Sequence, residues 1–103
     1  MSLKSEIEQY LLENDFSLSK TYLFDDEFHK GEMLIYIHNK TKSDTVILNT
    51  EINEKCVSVD LENNHSGEKY RYASRYIVNT INEFVFLITH STRSFLCDEK
   101  IIF

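Results

Sequence analysis

Residues 69–89 read Lys69-Tyr70-Arg71-Tyr72-Ala73-Ser74-Arg75-Tyr76-Ile77-Val78-Asn79-Thr80-Ile81-Asn82-Glu83-Phe84-Val85-Phe86-Leu87-Ile88-Thr89, and they satisfy two periodicities at once. Ala73, Tyr76, Ile77, Thr80, Ile81, Phe84, Val85 and Ile88 recur at the spacing of one helical face. Tyr70, Tyr72, Ser74, Tyr76, Val78 and Thr80 alternate as a half-buried strand does. β-Branched residues are dense between Ile77 and Ile88, which favours strand at the far end. These signals predict a helix over 72–82 and a strand over 84–89. A further strand over 95–102 then pairs with it through a turn at Ser91-Thr92-Arg93-Ser94.

The segments before this stretch are clearer. Leu3, Ile7, Tyr10 and Leu11 fall at i, i+4, i+7 and i+8, so the chain begins in a helix with Ser2 as N-cap. Asn14-Asp15 ends it, because short polar side chains compete for the helix backbone. Thr21 to Phe24 is a short aromatic strand. Met33 to Ile37 is apolar on both faces and belongs inside a sheet. Thr45 to Leu48 follows after the polar hairpin loop Asn39 to Asp44. Val57, Val59 and Leu61 alternate with Ser58 and Asp60, and Glu62 to Lys69 reads as a loop. The expected fold is a single α+β domain over 1–103. Its mostly antiparallel sheet has five to six strands, with the N-terminal helix and a second helix on one face.

The 103 residues carry 17 acids against 11 lysines and arginines, a net charge of −6. Residues 1–68 hold 14 acids and 6 lysines, a net −8, while residues 69–103 hold 3 acids and 5 bases, a net +2. The densest acidic cluster is Asp25-Asp26-Glu27 with Glu32 shortly after it. Such charge repels nucleic-acid phosphates and steers a basic partner. Tyr70, Arg71, Tyr72 and Arg75 form a second candidate contact patch, since Tyr and Arg dominate interface hot spots. No stretch is apolar for the length of a membrane span, and Met1 to Glu13 lacks the basic and apolar regions of a signal peptide, so a cytoplasmic protein is expected.

Cys56 and Cys97 lie 41 residues apart beside apolar neighbours, a pattern of buried thiols. The sequons at Asn39 and Asn64 read as turn residues of a cytoplasmic chain. The two glycines, Gly31 and Gly67, are isolated, so no glycine loop cradles a phosphate. Asp25-Asp26-Glu27-Phe28-His29 offers metal-ligand types, but consecutive acids in a hairpin diverge. His90-Ser91-Thr92 is similar to half of the H-x-[S/T] signature of two-histidine phosphoesterases. That chemistry needs a second copy to supply acid and base, and His29, His38 and His65 lack it. A Cys97–His90 pair or a Ser91–His–Asp98 triad remains as the enzymatic alternative.

The expectation is therefore a non-enzymatic, acidic protein-binding module without cofactor or metal. Composition skewed to Asn, Lys, Ile, Phe and Tyr suits a gene from an AT-rich genome or a mobile element. The leading function is an inhibitor or immunity-type protein that occludes a basic partner, such as a nuclease or another nucleic-acid-binding enzyme. The alternatives are a small acidic secretion or assembly chaperone, and a nucleic-acid-binding or hydrolytic protein using the Tyr/Arg segment or His90. The sequence leaves monomer and homodimer undecided.

Overall fold

A computed structural model describes residues 2–25, 30–51, 55–65 and 68–91. Helix α1 (Leu3–Glu13) leads into strands β1 (Phe16–Asp25), β2 (Lys30–His38), β3 (Asp44–Glu51), β4 (Val57–His65) and β5 (Glu68–Val78). Helix α2 (Ile81–Ser91) follows. The strands form an antiparallel meander in the order β1-β2-β3-β4-β5. The α+β class is as the sequence predicts.

Local chemistry explains the ends of α1. The Ser2 hydroxyl accepts the Ser5 amide at 3.1 Å, and Asn14 donates its side-chain amide to the Tyr10 carbonyl at 2.8 Å. Asp15 then turns the chain through φ 67°, a backbone conformation that Asp tolerates. Ile7 and Leu11 bury the inner face of the helix.

The stretch 69–89 resolves differently from the expectation. Its alternating half is strand β5, and its helix starts at Ile81 rather than near Tyr72. The deciding signal is a capping box. The Thr80 hydroxyl accepts the Glu83 amide at 3.2 Å, while Glu83 Oε1 accepts the amides of Asn79 and Thr80 at 2.7 and 3.0 Å. Val85 and Ile88 are weak helix formers, but burial of Phe84, Leu87 and Ile88 against the core overrides that preference. The predicted strand over 84–89 is thus helix. The predicted strand over 95–102 lies outside the described residues. The predicted loop 62–69 also shrinks, because β4 reaches His65 and β5 begins at Glu68.

Both helices cover one face of the sheet. Tyr10 of α1 meets Phe84 of α2 edge-on at 5.9 Å, which joins the two helices. Beneath them, Leu34, Tyr36, Val46, Leu48, Val57, Val59, Leu61 and Val78 complete the core. Each fully buried side chain of this kind contributes about 1.5–3 kcal/mol relative to exposure. Register follows from the alternation: Leu34 faces Leu48, which faces Val59, so one row is apolar across three strands. The odd-numbered residues of β2 occupy the opposite face, which no helix of the described residues covers.

Three register shifts interrupt the outer strand pairs, one between β1 and β2 and two between β4 and β5. Ser19 is the extra residue of a bulge between Leu18 and Lys20 in β1. In β5 a bulge at Ser74-Arg75 places Arg75 at φ 53°, and its amide donates to Asp60 Oδ1. Lys42, in the loop between β2 and β3, also has a positive φ, of 62°.

Candidate functional site

The ends of β1, β2 and β3 and the start of β4 converge beside the N-terminus of α1. There they enclose an open cleft of about 760 Å³. Its apolar surface comes from Leu3, Leu23, Phe24 and Val57, and its charged groups are Lys4, Asp25, Lys30, Glu32, Glu51 and Lys55. Leu23 is 78% exposed, so a large apolar side chain stands at the rim with little to cover it.

The inner wall is held by an ion pair between Lys4 of α1 and Glu32 of β2. The hydrogen bond to Glu32 raises the lysine's pKa above its usual value, against the opposing effect of burial. Deeper under α1, the Tyr36 hydroxyl donates to Glu8 Oε2 at 2.7 Å. Burial, then that bond, pushes the phenol's pKa well up. At the outer rim, Lys30 and Asp25 stand 3.8 Å apart with both side chains largely in water, a contact of little energetic weight.

Gly31 makes the wall possible. A Cβ on it would lie 1.9 Å from the Thr50 carbonyl oxygen and 2.9 Å from the Glu51 Cα, so β2 and β3 approach here only because the side chain is missing. Cys56 lines the same cleft, half-buried and not within the core as its neighbours suggested. Cys97 lies outside the described residues.

Of the acidic candidates, Asp25 and Glu32 are brought together at this cleft. Asp26 and Glu27 lie outside the described residues, as does His29. Glu32 differs from the expectation in one respect: it is engaged by Lys4 and is not a free rim charge. Several other acids also turn out to be structural. Asp44 is buried and accepts from the Asn63 amide, Asp60 anchors the β5 bulge, and Glu83 caps α2. Glu51 is the cleft acid that sequence reasoning missed. Only its place at the end of β3, across from Gly31, puts it there.

The second candidate patch lies on the far edge strand. Arg71 Nη2 donates to Glu62 Oε2 at 2.9 Å, and the Glu62 side chain is only 9% exposed. Arg75 is exposed at the bulge, and Tyr70 and Tyr72 belong to the same strand. The Asp25–Glu32 cluster therefore lies on β1 and β2, and the Tyr/Arg segment on β5 at the other edge of the sheet.

His90 and Ser91 lie in the last turn of α2 and not on a strand, and Thr92, the hydroxyl residue of the H-x-[S/T] pattern, lies outside the described residues. Asp98 lies outside the described residues. Among the described residues no cluster of three or more His, Cys, Asp or Glu side chains is arranged to hold a metal ion, and no helix is long and apolar enough to cross a membrane. In comparisons with known proteins, no family model matches the chain, and no curated protein or solved structure is significantly similar to it. What the cleft offers chemically is an apolar slot with charged walls. It can receive an apolar side chain and discriminate by the charges that flank it.

Proposed function

We propose that this protein is a non-enzymatic binding module of the inhibitor or immunity type, which engages a basic protein at the hairpin-end cleft. The observation that carries this reading is the exposed apolar slot at Leu3, Leu23 and Val57, set in a strongly acidic stretch of chain. In sequence, segments 25–32 and 51–55 hold six acids and two lysines; among the described residues Asp25, Glu32 and Glu51 line the slot beside Lys4, Lys30 and Lys55. An apolar anchor enters the slot, and lysines or arginines beside it meet Asp25 and Glu51. This is the usual division of labour at interfaces: the desolvated centre supplies affinity and the charged rim sets orientation and association rate. Occlusion of a nuclease or another nucleic-acid-binding enzyme follows if those basic groups belong to its substrate groove. The nucleic-acid alternative has less support, because the Arg71 guanidinium is already engaged by Glu62.

Affinity capture from the native host tests the proposal when wild type is run beside the D25K/E51K and L23D variants. A basic protein should be retained stoichiometrically by wild type and lost from both variants. Raising salt from about 0.05 to 0.5 M should weaken it, because rim charges are screened. Equal recovery by all three proteins, or no stoichiometric partner at either salt, would sink the reading.

A further inference from the structure

The sheet face that no helix of the described residues covers has a pattern that is complementary to itself. Across its middle runs one row of cross-strand neighbours: Lys20 of β1, Ile35 of β2, Ile47 of β3 and Asp60 of β4. The order is cation, apolar, apolar, anion. Met33 and Ile37 flank Ile35 on the same face and are likewise only partly buried. Tyr22 and Ile77 extend the apolar surface outward and are 48% and 51% exposed.

We infer that this face binds the same face of a second copy of the chain. A two-fold axis that runs along the strands between β2 and β3, in the plane separating two stacked sheets, maps β1 over β4 and β2 over β3. It sets Lys20 over Asp60 of the other copy and Ile35 over Ile47, twice in each dimer. Stacked sheets cross by about 30°, and the long lysine stem spans the resulting offset.

Charge and area both favour a second copy over the basic partner of the cleft. Among the described residues the face carries Lys20 and Arg71 against Asp60 and Glu62, with Glu51 only at its end. It is close to neutral on a chain of net charge −6, so two copies meet where their mutual repulsion is least. The four strands that overlap about this axis, of eight to ten residues, give a face of roughly 600 Å² at strand spacings of about 4.8 Å and rises of about 3.3 Å per residue. Two such faces bury about 1,200 Å², the lower end of what stable interfaces remove from water.

Sedimentation equilibrium on the full chain, at concentrations up to about 100 µM, tests this. Wild type should dimerise. K20E should weaken the dimer about tenfold, since it sets two carboxylates over each other at two symmetric places. K20E/D60N should recover much of that loss, because the asparagine oxygen keeps the acceptor for the Arg75 amide and removes the repulsion. I35K should give monomer. Circular dichroism confirms folding of each variant, and Lys20 is exposed, so K20E does not depend on core repacking. A monomeric wild type overturns the inference, whether residues 92–103 or a different protein cover the face. So does a dimer that K20E leaves unchanged, or a K20E defect that D60N does not relieve. The cleft lies apart from this row, so loss of the dimer leaves the basic-partner capture to succeed or fail by itself.

Discussion

Gly31 shows how much one missing side chain decides. A Cβ there would sit 1.9 Å from the Thr50 carbonyl oxygen, and that atom is backbone and cannot swing aside. Gly31→Ala should therefore push β2 from β3 and cost about 1–3 kcal/mol, the range for forced overpacking. Urea denaturation of the purified variant reads this directly, and unchanged stability would show that the strands separate freely at that end. Glu62 makes a related point. Its side chain is nearly buried on the face without helices, and Arg71 supplies the compensating charge. In the sequence Arg71 belonged to a candidate contact patch and Glu62 to a loop. A charge count cannot distinguish a carboxylate that binds a partner from one that satisfies the chain's own donors.

At the level of elements, α2 and β5 hold the lesson of the 69–89 stretch. Two periodicities fitted it because a strand and a helix meet there, and each period was right for its own half. Thr80-Ile81-Asn82-Glu83 marks the boundary, and that capping signal was legible in the sequence. Thr80→Ala removes the hydroxyl that accepts the Glu83 amide, and should cost about 1 kcal/mol. A fall in the thermal midpoint of a few degrees would match this, whereas no change would mean that burial of Phe84 and Leu87 holds the helix start alone. The five-strand meander was largely readable, since each hairpin joins neighbouring segments of alternating pattern. Strand lengths were underestimated because edge strand β1 is mostly exposed and carries little apolar alternation.

Across the whole molecule, α1 is the element whose docking depends on pH. Three groups with raised pKa values fasten it: Lys4 to Glu32, Tyr36 to Glu8, and Tyr10 buried against Phe84. All three are favoured in their protonated forms on folding. Their contribution is complete below the unfolded values of 10.0 for tyrosine and 10.5 for lysine, and is lost as pH rises through the folded values. Stability should thus hold to about pH 9 and fall above about pH 10. Tyr36→Phe removes one of the titrating groups and should flatten that fall, while lowering stability at neutral pH by about 1 kcal/mol through the lost hydrogen bond. Urea midpoints measured from pH 8 to 11 decide it: an alkaline slope equal to that of wild type would remove Tyr36 from the account.

By itself the sequence determined the α+β class, the capped N-terminal helix and the succession of hairpins. These rest on short-range signals: alternation, helical spacing and caps within a few residues of each other. Only the tertiary structure decided which acids are free. Lys4 finds Glu32 and Tyr36 finds Glu8 across 28 residues of chain, and Asp44 finds Asn63 across 19. The cleft and the self-complementary row also exist only through cross-strand register, which places residues from three or four strands side by side. Local periodicity says which way a side chain points. Pairing across the sheet determines what it meets there, and both proposed binding surfaces depend on that pairing.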